Sequence, residues 1–198
     1  MKQSALKKLL IGGIGNVLLG DDGVGPYIAR LLAAHYEFED GVEVADLGTP
    51  ALDLIDQLTA NDAVILIDSV NIEGDPGTVE LFRKSDIMRQ SPAVRMDPHS
   101  PALVDAMLSA EMFGVAPAEV LLVGIRGESF EPGCDLSQPV KASLGEAIAQ
   151  VLIELDRLHV QHRLRQQPED LGIWWARISA EAENTEAEKK MESPLLPA

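Results

Sequence analysis

Aromatic residues are scarce in this chain, at 4% of 198 positions, and cysteine occurs once. A core must therefore be built from Leu, Ile, Val and Ala, and the 46% hydrophobic content is enough for one domain with a substantial interior. The lone Cys134 excludes an internal disulfide framework and any cysteine-cluster zinc site. Basic residues are few as well: 16 Lys and Arg against 32 Asp and Glu leave a formal charge of -16. Nucleic acids and acidic lipid surfaces are bound through clustered Lys and Arg, so this balance argues against both as partners. Long apolar runs are also missing. The run after Lys7 and Lys8 is broken at once by Gly12, Gly13 and Gly15, too short for a signal-peptide core or a membrane span. A cytoplasmic location is expected.

What is present is an alternation of short apolar runs with longer segments of helical period, the pattern of βαβ units and a mainly parallel sheet. Strands are expected over 8–14, 42–47, 63–68 and 120–125, and helices over 23–36, 50–59, 102–113 and 140–158. Pro76-Gly77 marks a turn, and 78–82 reads as a short edge strand. Residues 83–100 lack periodicity and read as a long functional loop. Beyond His159 the composition shifts to Arg, Gln, Ala, Glu and Lys, with Trp174 and Trp175 between the polar stretches. The tail reads as a solvated, partly disordered segment, or as a partner-docking segment anchored by the tryptophan pair.

Three stretches carry side chains that suit a divalent metal. Residues 12–26 read G-G-I-G-N-V-L-L-G-D-D-G-V-G-P, residues 63–70 read A-V-I-L-I-D-S-V, and residues 96–99 read M-D-P-H. Ligands of open α/β sheets bind beyond the carboxyl ends of the strands, where Asp68 ends one strand and Asp22 follows another. His99, in the unpatterned loop, can reach the same edge. Two carboxylates and an imidazole leave positions open for substrate or water. Asp22 alone could be a helix cap or a first-turn acid. Asp68 is harder to place otherwise, because a carboxylate closing an apolar run is costly to bury without a partner.

Other candidates carry less. The glycine-rich stretch fails the G-x-G-x-x-G fingerprint: counting from Gly13 and Gly15, the third position is Leu18. Asp21 and Asp22 at the helix entrance would also repel a phosphate, so the glycines read as allowing close approach to another backbone or to a bound peptide. Cys134 has no histidine near it in sequence, which disfavours a catalytic thiol. His35 falls on a helix; His159 and His162 are spaced to share a solvated helix face; Asp46 ends a strand on the same edge as Asp68 and would support the site or cap the next helix.

In their order, G-I-G-N-V-L-L-G-D-D-G-V-G, I-L-I-D-S-V and D-P-H resemble the nickel-iron hydrogenase maturation endopeptidases over about residues 8–158, and Gln138-Pro139-Val140 also looks like that family. The resemblance implies a three-layer α/β/α sandwich around a twisted, mainly parallel sheet. It divides the chain into a maturation-protease-like domain over 1–160 and a tail over 161–198. It further implies a cytoplasmic endopeptidase that removes a C-terminal extension from a hydrogenase large-subunit precursor after nickel insertion; a monomer is expected. The family's metal-contacting residues fall on Asp22, Asp68 and His99, in both catalytic and metal-binding roles. Leu47 stands where many members have glycine. Nickel would arrive with the substrate, held there by thiolates, and no tightly bound organic cofactor is expected. The alternatives are a hydrolase with its own divalent metal, a nucleotide-binding module and a non-catalytic hydrogenase assembly factor.

Overall fold

Short apolar runs without alternation suit strands covered on both faces, and two such runs of the chain lie at the centre of its sheet. The computed structural model describes residues 8–50, 53–89, 100–133, 135–172 and 175, the side chains of 100–102 excepted. Strands β1 (Leu9–Ile14) and β4 (Ala63–Val70) are buried at every position and pair in parallel, from Leu9 against Ala63 to Gly13 against Ile67. Strand β3 (Val42–Gly48) lies parallel on the outer side of β1, and β6 (Glu119–Arg126) lies parallel on the far side of β4. The edge strand β5 (Val79–Arg83) runs antiparallel to β6, which completes the order β3-β1-β4-β6-β5.

Side-chain alternation sorts this sheet into two apolar faces. Leu9, Ile11, Ile65, Ile67, Leu121 and Val123 pack against helices α1 (Val24–His35) and α5 (Gln138–Arg157). Leu10, Val64, Leu66 and Leu122 pack on the opposite face against α2 (Asp53–Thr59), α3 (Lys84–Met88) and α4 (Ser100–Met112). The result is the α/β/α sandwich with one antiparallel edge strand. Among the described residues no helix is long and apolar enough to cross a membrane.

The expected elements are found within two residues of their bounds, and the helix expected over 50–59 is described from Asp53. Three short ones escaped the pattern. The expected loop over 83–100 opens instead with α3, one turn and a half long, capped by Asp86 Oδ2 accepting the Arg83 N–H at 2.9 Å and anchored by buried Ile87. Residues 90–99 lie outside the described residues. Strands β2 (Tyr36–Phe38) and β7 (His162–Leu164) pair antiparallel in a separate ribbon, so the chain beyond α5 folds back along the end of α1. Trp175 is buried, whereas Trp174, with residues 173 and 176–198, lies outside the described residues.

Helix α1 docks unusually close to the sheet. A Cβ on Gly25 would lie 2.2 Å from the Ile14 carbonyl oxygen and 2.3 Å from that of Ile67, and one on Gly13 would lie 2.2 Å from the Gly25 carbonyl oxygen. The glycines thus let a helix backbone touch two strand backbones. Gly25→Ala should lower stability by about 2–3 kcal/mol, the cost of overpacking where the neighbour is main chain. Urea unfolding measures this, and an unchanged midpoint would contradict the close docking.

A second anchor lies at the other end of the sheet. Glu154 of α5 is buried and accepts from Arg83 Nη1 at 2.5 Å and from Arg157 Nη2 at 2.8 Å. Burial would raise its pKa, but hydrogen bonds from Arg157 and Arg83 outweigh it and hold the carboxyl below the usual 4.5. Because the folded value is depressed, the stabilisation is complete well above pH 4.5 and fades as pH falls through the folded value. Both guanidiniums are over 40% exposed, so Glu154→Gln should cost only about 1–2 kcal/mol at pH 7. The gap between variant and parent, read from melts across pH 3–7, should close at the acid end.

Candidate active site

In this strand order the chain leaves β1 through α1 towards β3, then returns through α2 to β4 on the other side of β1. The crossovers diverge between β1 and β4, the switch point over whose carboxyl strand ends open α/β sheets bind their ligands. Asp21 and Asp22 sit in the 3-10 turn Gly20–Gly23, reached from β1 through residues 15–19, and Asp68 sits two residues before the end of β4. All three are buried: Asp21 at 0%, Asp22 at 3% and Asp68 at 4% exposure. Carboxylates are rarely buried this deeply unless held by donors.

The capping alternative for Asp22 does not hold, since neither the 3-10 turn nor α1 has a side-chain cap. Its carboxylate, an acid in the first turn of the 3-10 helix, accepts from its own loop and from β4. Oδ2 accepts the Asn16 N–H at 2.8 Å, and Oδ1 accepts the Ser69 hydroxyl at 3.1 Å. The first bond closes the loop from Asn16 to Asp22, which Gly15 enters with φ of 135°; a Cβ there would lie 1.7 Å from the Asp22 carbonyl oxygen. The second ties the turn to β4 at the residue after Asp68. By alternation Ser69 follows Ile65 and Ile67 onto the α1 and α5 face, whereas Asp68 follows Val64 and Leu66 onto the face covered by α2 and α4.

The structure therefore brings Asp22 and Asp68 to one strand end, while His99 and Asp97 lie outside the described residues. Among the described residues no three His, Cys, Asp or Glu side chains are grouped to hold a metal. Asp46 accepts the Gly48 N–H at 3.0 Å and pairs with Arg30 at 3.6 Å, which makes it a turn and docking residue. His159 and His162 do not share a helix face. His159 ends α5 with φ of 61°, and His162 starts β7 with Nδ1 3.8 Å from Asp156. Cys134 lies outside the described residues. Ser69 and the structural part played by Asp21 were missed from sequence. Their signal was present, because each is a polar residue beside a predicted ligand and Ser69 continues an otherwise apolar strand.

A doubly wound sheet with buried carboxylates at its switch point is an α/β protein with its polar groups gathered where such folds bind ligands. The family model "HycI: Hydrogenase maturation protease" matches residues 26–154, and the chain belongs to that family. It is accordingly an enzyme, a hydrogenase maturation endopeptidase. It is 32% identical to the hydrogenase 2 maturation protease of Escherichia coli K12, over 75% of this chain and 90% of that one. It is 36% identical to the hydrogenase expression/formation protein HoxM of Azotobacter vinelandii, over 71% of this chain and 68% of the relative. The solved hydrogenase maturating endopeptidase HybD from E. coli superposes with a TM-score of 0.74 at 30% identity, covering 80% of this chain and 98% of its own. The family match begins at Pro26, so it includes Asp68 but starts just past Asp22.

Ser69 has a readable part in such a site. Ser69→Ala removes the hydroxyl from Asp22 Oδ1 without adding bulk. Peptidase activity should fall roughly 10- to 100-fold while stability falls by only about 1 kcal/mol, as for the partners that orient a functional carboxylate. Parallel activity assays and thermal melts check this; full activity would show that Asp22 needs no such support.

Proposed function

We propose that Asp22, Asp68 and His99 act together on nickel carried by a hydrogenase large-subunit precursor, and that the enzyme then removes the precursor's C-terminal extension. The observation that carries this reading is the Asp22 carboxylate, fixed by Asn16 and Ser69 at the strand end that bears Asp68. An oxygen ligand already oriented by two donors meets a metal without rearranging. The path of α4 supports the third member. Its far end leads to Ala118, whose N–H bonds the Asp62 carbonyl at the start of β4. At about 1.5 Å per residue, its 13 residues span roughly 20 Å back towards the carboxyl edge, and α4 opens at Ser100, directly after His99.

Nickel is here a recognition element that belongs to the substrate. An imidazole and two carboxylates form a nitrogen and oxygen set, and thiolates of the precursor would supply the softer ligands that nickel also accepts. Cleavage then depends on metal loading, because a nickel-free precursor lacks the ion that the three side chains grip. The enzyme is taken to act as a monomer in the cytoplasm; a chain with one cysteine can form no internal disulfide, which fits a reducing compartment.

The test is incubation of the purified chain with nickel-loaded and nickel-free precursor, with product mass as the readout. The parent should shorten only the loaded form. Asp68→Asn and His99→Gln should retain the parental circular dichroism and leave the loaded precursor intact. Equal cleavage of nickel-free precursor, or full processing by either variant, would overturn the reading. Stoichiometric metal in the enzyme as purified would replace it with a hydrolase carrying its own ion.

A further inference from the structure

The segment between β6 and α5 is bound to the catalytic turn through Asp21. The Asp21 carboxylate, 0% exposed, accepts three main-chain amides: Glu128 N–H at 2.8 Å and Ser129 N–H at 3.0 Å on Oδ2, and Ser137 N–H at 2.6 Å on Oδ1. The main chain adds further links. Asp21 N–H donates to Ser129 O at 2.9 Å, Gly20 N–H to Gly133 O at 2.8 Å, and Gly133 N–H to Leu18 O at 2.9 Å. Leu19 and Gly133 form a parallel bridge. None of these groups is needed to shape Asp22 itself, which has its own donors in Asn16 and Ser69.

What the clamp fixes is an apolar surface. The Phe130 ring lies over Gly127, where a Cβ would meet its Cζ at 2.5 Å and the Asp21 Cβ at 3.2 Å. Phe130 remains 42% exposed, and Leu18, on the partner segment of the zipper, remains 46% exposed. Two large apolar side chains thus face solvent on backbone that is tied down, next to the turn that carries Asp22. Ordered apolar surface of this kind binds a chain at little entropic cost.

We propose that Asp21 is a positioning residue: it clamps the Phe130 segment to the Asp22 turn so that Leu18 and Phe130 form one wall that receives an apolar side chain of the precursor near its scissile bond. The proposal rests on the precursor-processing reading above and adds to it a residue that acts without touching substrate. Asparagine cannot replace the aspartate, because three amides occupy both carboxylate oxygens and the amide nitrogen of Asn would face an N–H donor. Glutamate would reach too far.

The decisive experiment is steady-state processing of nickel-loaded precursor by the parent, Asp21→Asn, Phe130→Ala and the double variant. Asp21→Asn should raise KM roughly tenfold or more with a smaller change in kcat, since misplaced binding groups act mainly on capture and orientation. Phe130→Ala should do the same, and the double variant should be no worse than the stronger single one, because both act through one wall. Losses confined to kcat, or KM effects that multiply in the double variant, would overturn the proposal. Should Asp21→Asn fail to fold, Gly127→Ala displaces the Phe130 ring while Asp21 keeps its carboxylate and yields by only a few tenths of an ångström, and an unchanged KM in that variant overturns it equally. Failure of the parent itself to cut the precursor would refute the processing reading; an active parent with an indifferent Asp21→Asn would refute only this inference.

Discussion

Two consecutive carboxylates are buried in one short turn, and the organisation of the site follows from how each is compensated. Burying an ionised carboxylate without donors costs far more than a domain of this size can absorb. Asp21 and Asp22 are neighbours, yet their donors come from opposite directions. Asp21 draws three main-chain amides from the segment before α5, whereas Asp22 draws one amide from its own loop and one hydroxyl from β4. Asp21 is thus committed to main chain and acts as a strut. Asp22 is held at the strand end by contacts that include a hydroxyl of the neighbouring strand, which ties its turn to β4.

The close docking of α1 serves the same arrangement. With Gly25 resting on the carbonyls of Ile14 and Ile67, the helix start bridges β1 and β4 at the point where the crossovers diverge. The 3-10 turn immediately before that helix start therefore cannot shift relative to β4 without breaking backbone contact. This rigid link explains how a turn after β1 and a residue of β4, 47 positions apart, keep a hydrogen bond at 3.1 Å. Placing functional groups on strands and tight turns gives a precision that mobile loops do not.

The sandwich was legible because its strands are extreme. A run such as Val64-Ile65-Leu66-Ile67 has its natural place in the middle of a sheet, and the buried Asp68 that follows it lies near the carboxyl end of that strand. The glycines were legible as spacers for backbone approach, but which backbones they admit depends on tertiary packing. Short elements were not legible. Helix α3 and the β2–β7 ribbon offer too few residues for a period, and each depends on partners distant in sequence, such as Arg163 against Glu37 across the ribbon. Ser69 and Asp21 escaped for a related reason. A serine after an aspartate and the first member of an acidic pair look like solvation until the fold shows what each touches.

Under the nickel reading, the chemistry of the donor set explains why the enzyme would discriminate between precursors. Two carboxylates and one imidazole lack the thiolates that would let a protein of this kind retain a borderline-soft ion against competitors. A set that is weak on its own gains most when the other ligands arrive with the substrate. Affinity for the loaded precursor then exceeds affinity for either the ion or the empty precursor, because only the ternary arrangement fills the coordination sphere. A difference of about 2.7 kcal/mol between loaded and empty forms suffices for a hundredfold preference. That is a modest demand on an ion with three protein contacts, so a checkpoint on metal loading needs no conformational switch beyond the coordination itself.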